Sequence, residues 1–200
     1  APTLNGYYLH IGELGYSWLL GKNDMPGRIV AWIWGQTGEL YTPSLAKENG
    51  AIGYYFFATQ RLWYMHPERD NAGIISYFQF ANTSANTQVA KTYVGAGLTS
   101  VRMIPGRPAD QISLGMAWSA LNDMPGAGEF FYPDVESDST DLRDSELMFQ
   151  AVYQTTYFFK LGRGFWSISP VLAYTYIPTP GQRPDLPAAH AITFRLTTLF

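Results

Sequence analysis

Seven side chains of this sequence carry charge or hydrogen-bonding chemistry inside otherwise apolar runs: Glu13, Arg28, Trp34, Gln36, Arg61, Gln150 and Arg195. Each run alternates residue types with a period of two, which sends successive side chains of a strand to opposite faces. Glu13 shares a face with Ser17, and Arg195 with Thr193 and Thr197. Arg61 shares one with Phe57, Thr59 and Trp63, opposed by Tyr54, Phe56, Ala58 and Leu62. Arg28, Trp34 and Gln36 fall together on a fourth strand face. Lone cations, one carboxylate and amides spread along a chain do not make a catalytic constellation. They suit a watery wall that attracts and hydrogen-bonds polar solutes, with Trp34 as a stacking platform.

The reactive alternatives find little support. His10, His66 and His190 are far apart, with no metal-ligand spacing. The stretch "YPDVESDSTDLRDSE" is rich in carboxylates, but lacks the spacing and the turn glycine of an EF-hand, so it reads as a solvated loop. There is no cysteine, hence no disulfide, thiolate nucleophile or cysteine metal site. No nucleophile elbow or phosphate loop occurs. No metal or other cofactor is expected, and the net charge of −3 gives nucleic acid no purchase.

The elements that hold these residues are strands. No helix-period segment of useful length is found, while nine strand-like segments rich in Tyr, Trp, Phe, Ile and Val recur, each ended by turn residues. They are "GYYLHIGELGYSWLL", "RIVAWIWGQTGEL", "AIGYYFFATQRLWYM", "IISYFQFANT", "VAKTYVGAGLTSVRM", "QISLGMAWSAL", "LMFQAVYQTTYFFK", "FWSISPVLAYTYI" and "HAITFRLTTLF". Most exceed the five or six residues usual in soluble proteins, and reach the nine to eleven of a tilted membrane strand. Connections such as "LGRG" and "IPGRPAD" are short on one side, whereas the other side carries the longest.

Which face meets which solvent follows from composition. In the sixth segment Ile112, Leu114, Met116, Trp118 and Ala120 oppose Gln111, Ser113, Gly115, Ala117 and Ser119. In the seventh, Leu147, Phe149, Ala151, Tyr153, Tyr157 and Phe159 oppose Gln150, Gln154 and Thr156. A soluble exterior would carry several Lys and Glu; this polar face is uncharged, and only 14% of the chain is charged against a usual quarter. No run is long and apolar enough for a transmembrane helix. A mean hydropathy of −0.10 is compatible with alternating strands that average out. The expected fold is all-β, a transmembrane antiparallel β-barrel with its apolar face in lipid. Charged residues on the strands then face the lumen, because Arg or Lys at mid-bilayer costs about 2–4 kcal/mol.

Bacterial single-chain barrels have an even number of strands and periplasmic termini. Nine strands ending in the periplasm put the start of the first at the outer rim. Residues 1–200 are therefore expected to form the C-terminal part of one larger barrel domain, with no separate soluble domain.

The order and spacing of several motifs resemble the carbohydrate-selective porins, the OprB-like family. "GAGLTSVRMIPGRPADQISLGMAWS" is similar to its Gly-Leu…Pro-Gly-Arg…Asp…Leu-Gly segment. In the next stretch Tyr153, Trp166, Pro170, Tyr174 and Pro178 occupy the family's places, with Gln150 where Glu is usual and Ile177 where Asn often stands. "GAIGYYFFATQRLW" is similar to its Gly-x-Tyr…Asp-Gln strand, with Thr59 for the Asp, and "FRLTTLF" to its last strand. The resemblance implies a 16-stranded barrel of the bacterial outer membrane, of which this chain would supply strands 8–16. It implies passive diffusion of monosaccharides such as glucose, without catalysis, with the sugar preference in question where two carboxylates are missing. Partners implied are sugars in transit, outer-membrane lipid and lipopolysaccharide, and the barrel-assembly machinery through Phe200; the molecule could be a monomer or a homotrimer.

Tyr8, Tyr16, Trp18, Trp118, Trp166 and Tyr174 are expected in the interfacial aromatic belts. Gly95, Gly97 and Gly115 are expected to ease curvature or open space. Three other readings stay open: a general or differently selective channel on the same fold, an outer-membrane barrel enzyme, and a soluble all-β binding module.

Overall fold

Alternating, β-branched and aromatic segments pair into one antiparallel sheet in the computed structural model, which describes residues 7–42, 46–84, 87–122, 143–161, 164–181 and 186–199. The strands are β1 (Leu9–Leu20), β2 (Met25–Tyr41), β3 (Lys47–Tyr64), β4 (Gly73–Thr83), β5 (Ala90–Val101), β6 (Gln111–Leu121), β7 (Ser145–Gln154), β8 (Tyr157–Leu161), β9 (Gly164–Thr179) and β10 (Ala189–Leu199). Their spatial order follows the sequence, β1 to β7, then β9 and β10, with β8 also paired to β9. β1 and β10 are the two edges of this open sheet. The acid-rich residues 132–142 and Phe200 lie outside the described residues.

The ten strands make nine staves. β7 and β8 both pair antiparallel with β9, and in the same register: Gln154 faces Val171 and Tyr157 faces Ile168. Between them Thr155 stands opposite Pro170, whose ring nitrogen has no hydrogen to donate, so the ladder lapses there. What remains is one bond from the Thr155 N–H to the Pro170 carbonyl, and a hydroxyl pair, Thr156 and Ser169, 2.9 Å apart. The expected seventh segment is thus one stave with a gap.

One expected face is corrected by a β-bulge. The β3–β4 register shifts between Arg61 and Trp63, so Arg61 still pairs with Ile75 but Trp63 pairs with Ile74. The extra residue, Leu62, carries Trp63 to the face opposite Arg61. Strict alternation had put the two side chains together.

Cross-strand pairing divides the sheet into two faces. One bears Leu14, Tyr16, Ile33, Phe56, Phe78, Leu98, Leu114, Met116, Phe149, Leu172, Ile192, Phe194 and Leu196, all exposed. The other is concave and lined by Thr59, Tyr77, Gln79, Tyr93, Thr99, Ser113 and Gln150 around a hollow of about 630 Å³. Large apolar side chains exposed together over a whole sheet face are what a lipid contact needs. The aromatic residues expected in belts (Tyr8, Tyr16, Trp18, Trp118, Trp166, Tyr174) all belong by register to that convex apolar face. Tyr174 and Tyr176 meet His190 there, the Tyr174 hydroxyl 2.6 Å from His190 Nδ1 and the Tyr176 ring stacked at 4.9 Å.

Candidate functional site on the concave face

Registers chain the concave face into continuous rows. Ser17 pairs with Arg28, Arg28 with Thr59, Thr59 with Tyr77, Tyr77 with Gly97, Gly97 with Gly115, Gly115 with Gln150, and Gln150 with Thr175. Directly paired residues share a face, so eight strands contribute one belt that is polar except for its two glycines. A second row runs Glu13, Trp32, Tyr55, Ala81, Tyr93, Ser119 and Glu146.

The seven sequence-selected residues all fall on this face. Glu13 accepts a hydrogen bond of 2.5 Å from the Trp32 indole, whose ring packs 4.9 Å from Tyr55. Arg28 is exposed beside Gly15, and Gln36 continues the same face of β2. Trp34 lies over Gly53, where a Cβ would come within 2.6 Å of the indole. Gln150 donates from Nε2 to the Thr175 hydroxyl at 3.1 Å. Arg195 sits on edge strand β10, paired with Val171 and exposed. Arg61 is different: it is 8% exposed, its Nη1 donates to the Asn71 carbonyl at 3.1 Å, and its guanidinium lies 4.9 Å from the Tyr64 ring. Its Nε is buried with no hydrogen-bond partner. Arg61 therefore ties the 65–72 connection to the wall instead of reaching into open space.

Sequence reading missed the centre of the hollow. Tyr77, Gln79 and Tyr93 line it, and the Tyr93 hydroxyl donates to Gln79 Oε1 at 3.2 Å. The space left by the missing side chains of Gly95, Gly97 and Gly115 is taken by tyrosines. A Cβ at Gly97 or Gly115 would overlap the Tyr77 hydroxyl, and one at Gly95 would meet the Tyr93 hydroxyl at 2.8 Å. The sequence holds the signal, Gly95, Gly97 and Gly115 on polar strand faces, but only the register says which ring covers which glycine.

A separate cluster closes the rim where β5 turns into β6. Asp110 is 2% exposed and accepts bonds from the Thr155 hydroxyl at 2.5 Å and the Tyr153 hydroxyl at 2.6 Å, with Arg107 Nε at 2.9 Å. Burial alone would raise its carboxyl, but the two hydroxyl donors and the guanidinium outweigh that and hold it below the ordinary range. Arg107 also donates to the Tyr157 hydroxyl at 3.3 Å. The 102–110 connection is thereby pinned to both sides of the gap in the seventh stave. That is an architectural role for the motif Pro-Gly-Arg…Asp.

A polar belt on the concave side of a long-stranded sheet, with an apolar convex side, is the wall of a water-filled barrel. A family model described as the carbohydrate-selective porin, OprB family, matches residues 10–200. The chain belongs to this porin family. The fold has a solved counterpart in the high-pH structure of OprB from Pseudomonas putida, with a TM-score of 0.68 and 19% identity. That match covers 96% of this chain and 48% of the other, so this porin chain spans about half the length of the structure it resembles. No curated protein matches. Family and fold place the porin in the bacterial outer membrane.

Proposed function

We propose that the protein is a channel for passive, carbohydrate-preferring diffusion of monosaccharides such as glucose, acting without a catalytic step. The observation that carries this reading is the belt from Arg28 to Thr175, in which hydroxyl, phenol and amide groups face the hollow. Such groups replace a sugar's water hydrogen bonds one for one, yet bind weakly enough for the solute to leave. Glu13, Arg28, Trp34, Gln36, Gln150 and Arg195 line the pore in this reading, and Arg61 supports its wall.

The lumen is completed by further strands between β10 and β1, consistent with the half-length match to the 16-stranded fold implied by the sequence. Outer-membrane lipid and lipopolysaccharide meet the convex face, and Phe200 presents the aromatic end read by the assembly machinery. The oligomeric state, monomer or homotrimer, belongs to the complete barrel. Planar-bilayer recording of the full-length chain tests the reading. Glucose added to either side should reduce the ion current in a saturable way, and amino acids should not. A current indifferent to every sugar would sink the carbohydrate preference and favour a general diffusion channel.

A further inference from the structure

The hollow on the concave face is lined without a single Asp, Glu, Lys or Arg among the described residues. The formal charges of the face lie elsewhere, so the hollow itself offers an ion no counter-charge. What it offers is geometry. Tyr77 stands on β4, yet its hydroxyl reaches over Gly97 on β5 and Gly115 on β6. Neighbouring strands are about 4.8 Å apart, so the side chain must lie along the wall, across the strands. Laid that way, the ring is part of the lining of the hollow. Tyr93 folds over Gly95, two residues along its own strand.

The flanking amides are oriented in opposite senses. Gln79 receives the Tyr93 hydroxyl on its carbonyl oxygen and so presents its NH₂. Gln150 gives its NH₂ to Thr175 and so presents its carbonyl oxygen. A sugar hydroxyl is both donor and acceptor and can use either amide. An acyclic polyol matches the amides equally well, but only a pyranose adds a flat patch of C–H groups for the positive-edge, negative-face attraction of an aromatic ring.

We propose that Tyr77, seated on Gly97 and Gly115 and flanked by Gln79 and Gln150, is a subsite for the ring face of a neutral pyranose. This rests on the carbohydrate reading above and specifies where and how that preference arises. The site selects for the closed ring of the solute, beyond its hydroxyl count.

The test compares glucose with mannitol, a neutral hexitol without a ring, as blockers of single-channel current through the full-length porin. Wild type should bind glucose more tightly than mannitol, and Tyr77→Leu should lose that advantage, a change of about two- to tenfold in the glucose block constant. Tyr77→Phe keeps the ring and should retain it. Phe78→Leu, on the convex face, should match wild type. Heat-modifiable gel mobility reports whether each variant is folded; should Tyr77→Leu not fold, Tyr77→Phe and Gln79→Leu decide. Gln79→Leu should weaken the block by both solutes. Undiminished glucose preference in Tyr77→Leu, its loss in Tyr77→Phe, or an unweakened block in Gln79→Leu would overturn the subsite while leaving a carbohydrate channel standing. Equal block by glucose and mannitol in wild type would also overturn it. A wild type insensitive to any sugar would remove the broader reading itself.

Discussion

At the scale of single residues, Asp110 shows how a motif can be legible while its purpose is not. Pro105, Gly106, Arg107 and Asp110 stand out in the sequence, and so do Tyr153 and Pro170. Nothing in their spacing says that a carboxylate on one connection takes hydroxyls 43 and 45 residues away. That pairing depends on the β6–β7 register, which brings Gln111 opposite Gln154. The depressed carboxyl carries a pH consequence. A group whose folded pKa lies below its unfolded value stabilises the fold fully above about pH 4, the ordinary Asp value, and loses that contribution as pH falls through the folded pKa. Thermal melting of the refolded porin between pH 7 and pH 2 should therefore show an acid-sensitive component. Asp110→Asn should lower the melting temperature at pH 7 and flatten that component, since the Arg107, Tyr153 and Thr155 donors lose their charged acceptor. An unchanged acid dependence in the variant would assign the component to other carboxylates.

At the scale of elements, alternation alone predicted the two faces of β6, β7 and β10, because the register shifts beside β6 and β7 put their extra residue on the partner strands β5 and β9. It failed at Trp63, where Leu62 is inserted and the phase of the strand flips. A bulge leaves no mark in the hydrophobic pattern, since both Leu62 and Trp63 suit either side of a rim. The gap between β7 and β8 was hidden for a related reason: its cause, Pro170, sits on the partner strand. The faces themselves predict opposite outcomes for neighbouring positions on β9. Leu172→Arg puts a cation on the convex face and should cost about 2–4 kcal/mol toward mid-bilayer in denaturant unfolding from lipid vesicles. Ala173→Arg, one residue along, faces water and should cost far less. Equal costs at the two sites would refute the face assignment.

At the scale of the molecule, the connections sort onto two rims. The ends of β1–β2, β3–β4, β5–β6 and β8–β9 that are joined in sequence lie at one rim, and the joined ends of β2–β3, β4–β5, β6–β7 and β9–β10 at the other. If the last strand ends in the periplasm, the second group faces the cell exterior. The absence of cysteine makes this directly measurable. Ser84→Cys should react with a membrane-impermeant maleimide on intact cells, and Glu68→Cys only after the outer membrane is opened. The reverse pattern would invert the orientation.

The two edges of the sheet have a symmetry consequence. With nine staves alternating in direction, β1 and β10 head toward the same rim. A second arc brought alongside by rotation about the pore axis keeps its headings, so its β1 would meet this β10 side by side and parallel. The same seam recurs for any number of rotated copies. No ring built only from this arc can be antiparallel throughout; such a ring needs an odd count of foreign strands at every junction. The directions of the nine described staves thus set a parity: an antiparallel wall that closes between β10 and β1 takes an odd number of further strands there.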